Sequence, residues 1–123
     1  DSRYALETDG NGTWVALGSQ SYGMTSIDDG VSWSYTAYLN DSNSNSGMVV
    51  RDDLTYYNNV WLFVDRTEKK LMSFTDPSTR STVTTEYSFP SNSTVYGGRR
   101  IGNKYYVGAQ TTSGQGVYIF TIN

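Results

Sequence analysis

Ser26-Ile27-Asp28-Asp29-Gly30-Val31-Ser32-Trp33 reads as a sharp reversal between two β-prone runs, Tyr22 to Ile27 and Ser32 to Tyr38. Gly30 takes a positive φ without the Cβ clash that penalises other residues, and Asp28 can turn its carboxylate back onto the amides of its own turn. Ser26 offers a hydroxyl beside the same turn. Trp33 supplies a large flat side chain expected to cover the hairpin on its buried side, with its indole N–H left to find an acceptor. An Asp-Gly turn between strands is common by itself. Five matched features within eight residues, Ser26, Asp28, Gly30, Ser32 and Trp33, make it a pattern, and its role is structural.

The surroundings of that hairpin recur along the chain. An offset of 47 residues sets Trp14-Val15-Ala16-Leu17 over Trp61-Leu62-Phe63-Val64 and Met24-Thr25-Ser26-Ile27 over Leu71-Met72-Ser73-Phe74. A turn precedes each first block, Gly10-Asn11-Gly12 and Asn58-Asn59, and Gly102-Asn103-Lys104 precedes a third block, Tyr105-Tyr106-Val107-Gly108. Strands are expected over Arg3–Thr8, Thr13–Leu17, Gly23–Ile27 and Ser32–Leu39, then over Met48–Tyr56, Val60–Asp65, Lys70–Thr75 and Thr82–Phe89. The third copy has Val95–Ile101, Tyr105–Ala109 and Val117–Ile122. A spacing near 45 residues with four short strands per unit is the signature of propeller blades, joined here by the polar links Asn40 to Gly47 and Pro90 to Thr94.

The hairpin and its repeat together resemble the Asp-box, or BNR, repeat of sialidases and of many non-enzymatic propellers. The resemblance implies an all-β chain, a partial β-propeller of four-stranded antiparallel blades with about 11 strands. Blade one spans 1–40, blade two 47–89 and a partial blade three 94–123. The box is intact once. In the second copy Thr75-Asp76-Pro77 stands where Asp28-Asp29-Gly30 stood and Arg80 replaces Trp33, so that hairpin is expected to need a longer loop through Ser78 and Thr79. The third copy stops before its box. Roughly three blades do not close a ring of four to eight, which leaves closure by oligomerisation, by a longer parent chain, or by rearrangement into a sandwich. A chain beginning at Asp1 without Met is compatible with a processed protein or with a piece of something longer.

Composition narrows the chemistry. In a chain of 123 residues, the size of one domain, eleven Tyr and three Trp supply buried surface that sparse Leu, Ile, Val and Phe do not. Abundant Ser, Thr, Asn and Gly favour strands and turns over helices. The net charge of −3, with nine scattered Lys and Arg, offers no footprint for nucleic acid. No apolar run is long enough for a membrane span. There is no Cys for a disulfide or a thiolate metal site, and no His for a general base, a zinc ligand or a serine triad.

Catalysis is therefore tested against the family. The sialidase pattern of an Arg triad, a Tyr–Glu pair and an Asp acid/base is not met: Arg100-Ile101-Gly102 has Gly where the entry motif has Pro, and Glu occurs only as Glu7, Glu68 and Glu86. Asp52 and Asp53 would point to opposite faces of a strand, and read as a charged strand start or edge. Arg99 and Arg100 suit an anionic ligand, or else edge protection or a surface ion pair. Asp41, Asp52, Asp53 and Asp76 lack the spacing of a calcium loop, so no metal and no cofactor is expected. The sequons at Asn11, Asn40 and Asn92 would accept glycans only in a eukaryotic secretory pathway. Tyr35 and Tyr38 follow the hairpin, and Tyr56-Tyr57 and Tyr105-Tyr106 are adjacent pairs, so one ring of each pair should enter the core while the other faces sugars or proteins.

The expectation is a non-enzymatic attachment or assembly module at a virion, phage or other extracellular surface. Its partners would be further copies or other structural subunits, with a cell-surface glycan as a further candidate. The alternative is a piece of a sialidase-like glycoside hydrolase whose catalytic residues lie elsewhere.

Overall fold

Three antiparallel sheets follow one another along the chain in the computed structural model, which describes residues 5–18, 22–37, 53–78 and 83–123. The first sheet holds β1 (Ala5–Thr8), β2 (Trp14–Leu17), β3 (Tyr22–Ser26) and β4 (Ser34–Ala37) in chain order. The second holds β5 (Thr55–Tyr57), β6 (Val60–Asp65), β7 (Lys70–Phe74) and β8 (Thr84–Ser88). The third holds β9 (Thr94–Ile101), β10 (Lys104–Thr111) and β11 (Gly114–Thr121). The all-β expectation holds, as does its strand count among the described residues. Tyr38, Asp41, Asp52 and Arg80, with the outer ends of several expected strands, lie outside those residues.

Local chemistry sets the hairpins. Asn58 and Asn59 both adopt left-handed backbone (φ 52° and 69°), the pair of conformations a two-residue turn needs to match strand twist. Asp65 closes the β6–β7 turn by accepting from the amides of Thr67 and Glu68 at 3.0 and 2.9 Å. The β10–β11 hairpin runs further than Tyr105–Ala109 and Val117–Ile122, because ladder pairing reaches Thr111 opposite Gly114. Gly114 and Gly116 lower strand propensity, and cross-strand pairing overrides them.

Register corrects the repeat. Ala16 lies opposite Met24 and Phe63 opposite Met72, so the 47-residue offset holds for β2 and β6 while β3 and β7 match one residue later, Met24 over Met72. Keeping the smaller offset would put Met24 and Leu71 together, on opposite faces.

The core sits between sheets. Each sheet has a leading face, toward the next sheet in the chain, and a trailing face, toward the previous one. Ala5, Val15 and Leu17 on the leading face of the first sheet pack against Trp61, Phe63, Met72 and Phe74 on the trailing face of the second. Leu62, Val64, Leu71 and Phe89 then pack against Val95, Tyr105, Val107 and Ile122 of the third. Trp61 stacks on Phe74 with ring centroids 5.8 Å apart, while Tyr87 and Phe89 meet Tyr118 and Phe120 in tilted and edge contacts. Every residue from Trp61 to Asp65 is buried. Each large apolar side chain so buried contributes roughly 1.5–3 kcal/mol.

Phe63 is fully buried in the first of these cores. Phe63→Ala should lower unfolding free energy by about 3–5 kcal/mol in urea titrations, whereas Thr84→Ala on exposed β8 should stay within about 0.5 kcal/mol.

Candidate functional site

The Ser26–Trp33 hairpin is knit by its own polar side chains. The Ser26 hydroxyl donates to Asp28 Oδ1 (2.8 Å) and accepts from the amides of Asp28 (3.3 Å) and Gly30 (2.8 Å). Asp28 in turn accepts from the Ser32 amide (2.9 Å) and the Ser32 hydroxyl (2.5 Å). Asp29 (φ 59°) and Gly30 (φ 88°) make the left-handed bend. Ser26 is buried beneath it. The exposed Asp28 carboxyl is held down at about 2 by the Ser32 hydroxyl and amide and by the Ser26 hydroxyl, all of which bond the charged form.

Trp33 does not cover a buried side. It is 38% exposed and its indole donates to Gly30 O at 3.1 Å, because it precedes β4, the outermost strand of its sheet. Half-buried Trp14 also ties to this hairpin: its indole donates to Asp29 Oδ1 at 2.8 Å. In the second sheet β7 ends at Phe74 and β8 begins at Thr84; of the loop expected between them, Thr79 lies outside the described residues. Asp76 there accepts from the Ser78 amide and hydroxyl at 2.9 and 2.6 Å, which lowers its carboxyl too.

The tyrosines are redistributed. Tyr56 packs into the first core and Tyr57 into the second, since both faces of the second sheet are covered and neither has an outside. Tyr105 is fully buried, which removes it as a ligand contact; Tyr106 on the opposite face is half-buried, and Tyr35 is 75% exposed. Arg99 is exposed opposite Tyr106. Arg100, on the edge strand β9, donates to Thr55 Oγ1 (2.8 Å) and Gly102 O (2.7 Å), and its guanidinium lies 4.9 Å from the Tyr57 ring centroid.

Asp53 stands just before β5, the outermost strand of the second sheet, close to the strand start or edge expected for it, yet it is 1% exposed. Arg66 grips it with Nε–Oδ2 at 2.8 Å and Nη2–Oδ1 at 3.1 Å, and the Gly98 amide donates to Oδ1 at 3.0 Å. Tyr105 donates its hydroxyl to the Asp53 carbonyl. Burial raises the Tyr105 phenol well above its ordinary value, and the Asp53 carboxylate adds to the rise. The third sheet approaches this closely because Gly97 and Gly98 have no side chains: a Cβ would stand 2.2 Å from Arg66 Nη2 at Gly97 and 2.3 Å from the Tyr105 oxygen at Gly98. The glycine pair inside a strand was the available sequence signal for this tie, and the structure adds a β-bulge beside it.

Several carboxylates among the described residues are thus engaged in turns, within a sheet or between sheets. Glu7 accepts from the Tyr56 amide (3.3 Å) and Glu86 from the Ser73 hydroxyl (2.6 Å). Among the described residues no three Asp or Glu are grouped to hold a metal ion. A cleft of about 310 Å³ opens between the second and third sheets, floored by Leu62, Leu71 and Phe120 with Ser73 and Glu86 at its wall.

No family model and no curated protein matches the sequence. Among solved structures, YCF48 bound to D1 peptide superposes with a TM-score of 0.67 at 14% identity, over 98% of this chain and 36% of that one. The fold is β-propeller-like. The three sheets correspond to a part of such a propeller, and the chain spans little more than a third of its neighbour.

Two outcomes follow. The Asp28 carboxyl lies below its unfolded value, so it contributes stability above about pH 4 that is lost as pH falls toward about 2. Asp28→Asn should flatten that part of the acid limb in thermal melts across pH 2–5. Arg66→Met, which strands the buried Asp53 charge, should cost about 3 kcal/mol by denaturant unfolding, the lower end of such losses because Arg66 is 26% exposed.

Proposed function

We propose that this chain is a non-enzymatic, Asp-box-type propeller module that holds other protein subunits together at an exterior surface, as in a virion or phage particle. The observation that carries this reading is the pair of outer sheet faces. On the trailing face of the first sheet, pairing aligns Leu6, Ala16, Met24 and Tyr35 in one row across all four strands, with Leu6 58% and Tyr35 75% exposed. On the leading face of the third sheet, Arg99, Tyr106 and Ile119 form a row beside Val117, and Ile119 and Val117 are 59% and 62% exposed. Contiguous apolar rows of this kind mark contact with protein.

The structural neighbour supports a protein partner, since YCF48 is bound to D1 peptide in that structure. The exterior setting rests on the Ser, Thr, Asn, Gly and Tyr bias of the composition. A glycan reading is weaker, because Tyr56, Tyr57 and Tyr105 are absorbed by packing. Carbene footprinting of the protein in its native assembly should leave Leu6, Tyr35, Val117 and Ile119 at least fivefold less labelled than in the purified, dilute chain. Equal labelling in both would overturn the reading.

A further inference from the structure

We propose that Asn11-Gly12 is a self-modification site, at which the folded chain converts Asn11 to an isoaspartyl link and so loosens the Ser26–Trp33 hairpin. Chemistry selects the candidates. A glycine after Asn or Asp leaves its backbone nitrogen unhindered to attack the preceding side-chain carbonyl, and the chain holds three such pairs, Asp9-Gly10, Asn11-Gly12 and Asp29-Gly30.

Hydrogen bonding separates them. The Gly10 amide donates to Thr8 Oγ1 at 3.0 Å, and Asp9 Oδ1 accepts from the amides of Asn11 (2.7 Å) and Thr13 (3.1 Å). The Gly30 amide donates to the Ser26 hydroxyl, and Asp29 Oδ1 accepts from the Trp14 indole. In both pairs nucleophile and target are held in other bonds. Asn11-Gly12 differs: the Asp9 carboxylate takes the amides on either side of Gly12 and passes over its own, and among the described residues neither the Asn11 carboxamide nor the Gly12 amide has a hydrogen-bond partner. Asn11 is exposed. The equivalent turn of the second sheet, Asn58-Asn59, is exposed although that sheet is covered on both faces, so packing between sheets does not bury this end of a hairpin.

The reaction needs only water. The Gly12 nitrogen attacks Asn11 Cγ, the new N–Cγ bond replaces the Cγ–Nδ2 bond, and the Gly12 amide proton leaves with that nitrogen as ammonia. Water then opens the cyclic imide at either carbonyl, giving Asp on an ordinary backbone or an isoaspartyl link that runs through Cβ. The second product adds one atom to the backbone between the two amides that Asp9 Oδ1 holds at once. Just beyond it, the Gly12 carbonyl accepts from the Asp29 amide at 2.9 Å, the backbone bond that ties the β1–β2 turn to the Ser26–Trp33 hairpin. Lengthening the chain ahead of Gly12 moves that carbonyl off the amide. The attachment of the hairpin is therefore a property that decays with time, in one direction.

The purified chain, native or unfolded in urea, is incubated at mildly alkaline pH and mapped by fragmentation mass spectrometry with isoaspartate-specific methyl transfer. A gain of about 1 Da should localise to residue 11 of the native chain, at a rate within fivefold of the unfolded one, and Asn11→Gln should abolish it. Isomerisation at Asp9 and Asp29 should be at least tenfold slower in the native chain than in the unfolded one. A native rate at Asn11 more than fivefold below the unfolded rate, or unprotected Asp9 or Asp29, overturns the assignment. In the isoaspartyl product the Asp29 amide should exchange its hydrogen at least tenfold faster, whereas Asn11→Asp, with the same charge on an ordinary backbone, should leave that exchange unchanged. Unaltered exchange in the product, or equal acceleration in Asn11→Asp, overturns release of the hairpin by the link.

Discussion

Burial of β6 on both faces is the constraint from which the rest of the structure follows. Trp61 and Phe63 enter one core and Leu62 and Val64 the other, so neighbouring residues of one strand hold different sheets. A slip of one residue would exchange the two sets and leave neither core filled, which ties the register of the second sheet to the packing of the first and third. The two cores are also asymmetric in size. Small Ala5, Val15 and Leu17 receive large rings on one side, while aromatic side chains from both partners interlock on the other.

Polar ties fix what apolar contact leaves free. Apolar packing is non-directional, whereas the Asp53 carboxylate accepts from Arg66 and Gly98 along defined vectors and so sets how the third sheet sits on the second. The ion pair is tolerated in a buried position because each oxygen finds a donor. Between the first and second sheets the equivalent ties are lighter, Glu7 to the Tyr56 amide and the Thr25 hydroxyl to the Pro77 carbonyl at 2.9 Å. The hairpin from Ser26 to Trp33 stands apart from both. It is closed by residues within one short segment, which is why its chemistry is architectural and its carboxylate is occupied by serine donors.

Legibility in the sequence divided along the same line. The turn chemistry of Asp28 and Gly30, the left-handed Asn58-Asn59 pair and the alternation of apolar residues all act over a few residues, and most strands were placed closely, β5 excepted: expected over Met48–Tyr56, it spans Thr55–Tyr57, with Asp53 and Leu54 outside it. Trp33 was read onto the wrong side because its covering depends on whether another strand lies beyond β4, and Asp53 was read as an edge charge because its partners come from residues far along the chain. The Tyr105-Tyr106 pair divides as expected, with Tyr105 in the core and Tyr106 on the outer face, whereas the Tyr56-Tyr57 pair failed for a related reason. Adjacent rings do point to opposite faces, but the second sheet has a neighbour on each.

The sequence by itself determined an all-β chain of short strands in a repeating pattern of about 45 residues, since backbone preference and period-two alternation are local properties. Only the tertiary structure decided which face of each strand is covered, that β3 and β7 match one residue later than β2 and β6, and that Asp53, Arg66, Gly97, Gly98 and Tyr105 meet at one junction. Those are contacts between residues distant in the chain, and their geometry exists only once the sheets have packed.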